Sequence, residues 1–133
     1  MIRASASWTG QMQFAGTGNR GHSVLMDGDG EAGNSPMELV LVALCGCTAV
    51  DVVNILEKKR EPVTGVEVSA EAEKAPEPPR VYTDIKLRYR VSGKVSRKAV
   101  EDAVRLSEEK YCSVAAMLKT TARISYEIRL DSQ

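Results

Sequence analysis

The sequence predicts an α+β fold: antiparallel sheets packed on one long buried central helix, in the order βββ-α-ββ-αα-β, within a single domain of residues 1–133. Three observations predict it. Strand-like segments come in runs rather than alternating one by one with helices. A helix that is apolar on almost every side sits between two of those runs. The segment Val81–Val91 alternates so regularly that one face must be covered and the other wet.

Three short strands open the chain, Ile2–Trp8, Met12–Thr17 and His22–Met26, separated by glycine-containing turns. Residues 27–34, Asp-Gly-Asp-Gly-Glu-Ala-Gly-Asn, are a loop by composition. The helix that follows has complete start signals: Ser35 as N-cap, Pro36 at the first helical position and Glu38 as the returning arm of a capping box. It runs to Leu56, is followed by cations at Lys58, Lys59 and Arg60 that suit a helix C-terminus, and cannot pass Pro62. Such a helix must be surrounded, and 133 residues offer little to surround it with, so dimerisation around it is expected.

Two strands come next. Val66, Val68, Ala70 and Ala72 alternate with Glu67, Ser69, Glu71 and Glu73, and a proline-rich connection from Ala75 to Arg80 leads into Val81–Val91. In that strand Val81, Thr83, Ile85, Leu87, Tyr89 and Val91 share one face. Ser96 caps a second helix with Val100, Val104 and Leu106 on its core side. A break is expected around Tyr111-Cys112-Ser113, then a short third helix over Val114–Lys119 and a last strand over Ala122–Leu130.

Composition excludes several function classes. The chain has 18 basic and 18 acidic residues, a formal net charge of zero, which speaks against a nucleic-acid partner and against a polybasic membrane anchor. The longest charge-free run in the hydrophobic region, Leu39–Val50, is 12 residues, short of the roughly 20 a bilayer span needs. No signal peptide is visible, and three cysteines are too few and odd for a secreted disulfide framework. A cytoplasmic protein without membrane contact is the expectation.

Two motifs are decoys. Residues 16–21 read G-x-G-x-x-G, but the segment after them reads as a strand, not the helix whose N-terminus would hold a pyrophosphate. Asp27-x-Asp29-Gly30 lacks the later ligands of a calcium loop. Cys45 and Cys47 diverge by about 200° on an intact helix and cannot grip one ion. The single histidine, His22, adds little, so neither a metal nor another cofactor is expected.

The cysteines differ in context. Cys45 shares a face with Leu41, Val42 and Ala49, a core setting. Cys47 lies mid-helix near Asp51, where spacing alone also describes a core thiol; a reactive role needs an imported cation, and Arg20 is the conspicuous candidate. Cys112 follows Lys110 at the start of a short helix, and both features favour a thiolate.

Together these segments resemble the OsmC/Ohr family of osmotically inducible and organic hydroperoxide resistance proteins. Ser35-Pro36-Met37-Glu38-Leu39 through Cys47 is similar to that family's Asn-Pro-Glu-x-Leu-to-Cys helix, Tyr111-Cys112-Ser113-Val114 to its second cysteine segment, and Gly18-Asn19-Arg20-Gly21 to its arginine-bearing turn. The resemblance implies an intertwined homodimer acting as a thiol peroxidase on organic hydroperoxides, less well on hydrogen peroxide. By position it implies Cys47 as the attacking thiolate, Cys112 as its resolving partner, Arg20 as the cation that activates Cys47 and orients the peroxide, and an external dithiol as reductant. Met37 stands where the family has its functional glutamate, and Ser113 replaces a proline. The alternative is a dimer of the same kind that binds a hydrophobic small molecule at its interface without efficient peroxide turnover.

Overall fold

A computed structural model describes residues 1–131 and has the expected element order: β1 (Ser5–Gly10), β2 (Gln13–Thr17), β3 (Ser23–Asp27), α1 (Pro36–Lys58), β4 (Val63–Lys74), β5 (Tyr82–Gly93), α2 (Arg97–Leu106), α3 (Ser113–Leu118) and β6 (Arg123–Asp131). Between α2 and α3 the helix widens into a π-helical turn over Ser107–Tyr111. The chain forms two compact units that divide at Val42, so α1 begins in the first and runs through the second.

The first unit is an antiparallel meander, β1-β2-β3. The G-x-G-x-x-G stretch ends β2 and forms most of the β2–β3 hairpin connection: Gly21 donates to the Gly18 carbonyl at 3.0 Å and Gly18 to the His22 carbonyl at 2.9 Å. Gly21 has φ +84°, which an L side chain rarely adopts and glycine takes without strain. Asp27 organises the loop before α1; its Oδ1 accepts from the Asp29 amide at 2.8 Å and its Oδ2 from the Ala32 amide at 2.9 Å. The capping box forms: the Ser35 amide donates to Glu38 Oε1 at 2.8 Å and the Glu38 amide to Ser35 Oγ at 3.2 Å.

In the second unit the sheet order is β4-β5-β6, with β5 central. Ile85, Leu87, Tyr89 and Val91 are fully buried on its inner face, as their alternation predicts. Tyr82 falls outside that alternating set yet is buried as well, at the point where the β4–β5 register shifts, Glu73/Lys74. Arg88 lies on the outer face, 2.7 Å from both Glu71 and Glu127. One pairing departs from the antiparallel expectation: β5 and β6 run parallel. The segment between them contains α2, the π turn and α3, long enough to carry the chain back and re-enter the sheet in the same direction.

Helix α1 is 23 residues long, and by length and composition it could cross a membrane, which the 12-residue charge-free run understated. Within this chain, Leu44, Thr48, Val52 and Leu56 form its buried stripe at i, i+4, i+8 and i+12. Burial of each Leu or Val contributes about 1.5–3 kcal/mol. The other faces remain open: Val42 is 55% and Val50 59% exposed.

Candidate active site

Cys47 sits in the middle of α1, one residue before Thr48 of the buried stripe, and is half-buried. Cys112 ends the π turn. Its amide closes that turn onto the Ser107 carbonyl at 2.8 Å, its backbone is extended, and its Sγ caps α3 by accepting from the Ala115 amide at 3.3 Å. The turn brings Cys112 to the neighbourhood of α1, where the Cys47 thiol helps to raise the Cys112 thiol. Both thiols are free.

Burial at 3% exposure pushes the Cys112 thiol up to about 12, helped by the Cys47 thiol and by the nearby charge of Glu108. The sequence context, Lys110 and a helix start, pointed the other way. Lys110 instead turns out over the Tyr111 ring at 5.2 Å, and desolvation outweighs the single amide of the short helix. Desolvation also raises the Cys45 thiol, though the core setting expected for it is incomplete in this chain: Cys45 is half-buried and its neighbour Val42 is 55% exposed.

Polar groups gather near Cys112, Ser107 and Glu108 being buried. Tyr89 donates to Glu108 Oε2 at 2.5 Å. Lys119 Nζ donates to the Glu108 backbone carbonyl. Ser107 Oγ donates to Asp51 Oδ2 at 2.9 Å. The Tyr89 ring meets that of Tyr126 edge-on, with centroids 5.9 Å apart. Arg20 belongs to the first unit, exposed in the β2–β3 connection. Among the described residues, no three His, Cys, Asp or Glu side chains converge as metal ligands.

Residues 28–127 match the family model described as OsmC-like protein. The chain belongs to this family. It is 45% identical over 131 residues to Protein YhfA of Escherichia coli (strain K12), a match covering 96% of this chain and 98% of that protein. It resembles the crystal structure of a hypothetical protein from Aquifex aeolicus VF5, at TM-score 0.85 and 34% identity over 98% of each chain. It also resembles an organic hydroperoxide resistance protein OsmC from Legionella pneumophila, at TM-score 0.72 and 13% identity over 97% of this chain and 96% of that one, a likeness of fold.

In this OsmC-like chain, Cys47 and Cys112 fall inside the matched residues and Arg20 precedes them. Sequence reasoning named the thiols but passed over Tyr89, Ser107 and Glu108, which surround Cys112. The signal was present for Glu108: it continues the Val100, Val104 spacing that marks the core side of α2. A carboxylate on a core stripe is costly unless paired.

Proposed function

We propose that this OsmC-like protein is a cytoplasmic dithiol peroxidase for organic hydroperoxides, with hydrogen peroxide a lesser substrate. The observation that carries the reading is that the Cys47 thiol lies near enough to the buried Cys112 thiol to help raise it. In the proposed cycle, the Cys47 thiolate attacks the terminal peroxide oxygen, the O–O bond breaks, and the alkoxide leaves as alcohol after taking a proton. Cys47 becomes a sulfenic acid. Cys112 then attacks the Cys47 sulfur, forming an S–S bond and releasing water, and an external dithiol reduces the disulfide by exchange. Arg20 is assigned the role that its resemblance to the family's arginine implies: stabilising the Cys47 thiolate and orienting the peroxide. No metal or other cofactor takes part in these steps.

The working unit is a homodimer in this proposal. Support comes from apolar surface that one chain leaves uncovered: Val42 and Val50 on α1, and Trp8, 70% exposed, on β1. The second reading, binding of a hydrophobic small molecule without turnover, is favoured by Met37 at the position of the family's glutamate.

One experiment separates the two. Reduced protein is given one equivalent of an alkyl hydroperoxide and followed by intact mass and peptide mapping. Peroxidase chemistry removes two hydrogens and joins Cys47 to Cys112. Both thiols staying free over minutes, while the hydroperoxide persists, overturns the proposal.

A further inference from the structure

An open cavity of about 340 Å³ lies between the C-terminal half of α1, the end of α2 and the end of the π turn. It belongs wholly to the second unit, and neither Cys47 nor Cys112 lines it. That volume falls at the small end of the roughly 300–1,000 Å³ typical of small-molecule pockets. Ile55, Leu106 and Tyr111 supply its apolar lining, and Tyr111 is 50% exposed, an aromatic surface left for a ligand to cover. Asn54 and Lys58, also in the lining, stand one turn apart on α1 and share a face. We propose that this cavity binds a small organic monocarboxylate and that the bound acid clamps the π turn to α1. The apolar body lies against Ile55, Leu106 and Tyr111, and the carboxylate meets Lys58 and Asn54.

Charge selects the ligand class. Among the described residues, neither the Lys58 ammonium nor the Asn54 amide has a hydrogen-bond or ion-pair partner. The other charged groups of the lining are engaged: Lys59 faces Asp102 at 3.9 Å, and Asp51 accepts from Ser107 at 2.9 Å. Lys110 adds a cation 5.2 Å from the Tyr111 ring centroid. An unpaired ammonium near the Asp51 carboxylate suits a monoanion, whereas a dianion meets more repulsion than Lys58 offsets. A carboxylate on Lys58 gains a charge-assisted hydrogen bond, and the Asn54 amide can donate a second. A neutral alcohol of the same shape keeps the apolar contacts alone. The clamp follows from the identity of the walls. Tyr111 is the last residue of the turn and Cys112 comes next, while Asn54 and Lys58 belong to α1. A ligand touching both walls binds only while the turn lies against the helix, so it stabilises that state by mass action. The Cys112 thiol, 3% exposed, is reached when the turn opens, and the acid therefore slows its reaction.

Titration of the reduced protein with 4-phenylbutyrate, by calorimetry or ligand-observed NMR, tests the site, with 4-phenylbutan-1-ol as the neutral counterpart. The acid should bind with a Kd of about 0.1–1 mM and the alcohol about tenfold more weakly. Lys58→Gln should weaken the acid about tenfold and leave the alcohol within about twofold. Lys59→Gln, which removes a cation already paired with Asp102, should weaken the acid by no more than about twofold. Tyr111→Ala should weaken both ligands alike, about fivefold. Equal binding of acid and alcohol, equal losses from the two lysine variants, or no binding of either ligand overturns the site. The clamp has its own readout. In a Cys45→Ser, Cys47→Ser background, labelling of Cys112 by N-ethylmaleimide should slow about tenfold when the acid is at about ten times its Kd. At that same concentration, adding Lys58→Gln should cut the protection to about twofold. Labelling that the acid leaves unchanged, with binding intact, overturns the clamp. Both readouts use reduced protein and no hydroperoxide, so they stand or fall separately from the peroxidase reading.

Discussion

Ser107 donates a 2.9 Å hydrogen bond to Asp51, and that bond ties the π turn leading to Cys112 to the helix that bears Cys47. The two residues are 56 positions apart, so only the fold makes them partners. Asp51 read from sequence as a liability beside Cys47. In the structure its carboxylate is occupied in holding Ser107, which is fully buried.

Asp51→Ala leaves the Ser107 hydroxyl buried without that partner. The expected cost is about 1–3 kcal/mol of folding stability, read as a lower denaturant midpoint. Asp51→Asn, which keeps an acceptor oxygen, should recover part of the loss. Equal midpoints for Asp51→Ala and the parent protein would show that the tie contributes nothing.

Cys112→Ser removes the resolving thiol of the proposed cycle. With one equivalent of alkyl hydroperoxide, the variant should gain a single oxygen at Cys47, trapped by a dimedone-type reagent. Excess peroxide should carry it on to the sulfinic acid. Fast disulfide formation between Cys45 and Cys47 in this variant would contradict their divergence on α1.

Val50→Glu puts a charge on the uncovered apolar side of α1. The parent protein should sediment as a dimer at low micromolar concentration and the variant as a smaller or less soluble species. A parent protein that stays monomeric under those conditions removes the dimer from the proposal.

Asp27 supplies a pH dependence. The backbone amides of Ala32 and Asp29 hold its carboxyl below the ordinary carboxylate value, so its stabilising contribution is present above that value and disappears as pH falls through the lower, folded-state value. Asp27→Asn should therefore be less stable than the parent near neutrality, with the difference closing as pH drops below about 4. A difference that does not change with pH would contradict this assignment.

Much of the fold could be read from spacing. The inner face of β5, the caps of α1 and α2 and the break before Cys112 follow local rules of period, capping and helix termination. The direction of β6 could not be read, because strands alternate with the same period of two whether they pair parallel or antiparallel. Nor could the state of Cys112, because a local cation and helix start are visible in sequence whereas desolvation depends on what packs over the thiol.

By itself, then, the sequence determined the element order, the central helix and the family resemblance, since each rests on neighbours a few positions away. Tertiary structure decided that Cys112 is buried and held protonated, and that Glu108 lies buried under Tyr89. Those outcomes depend on long-range contacts that remove water from specific groups, and removal of water sets the cost of a charge.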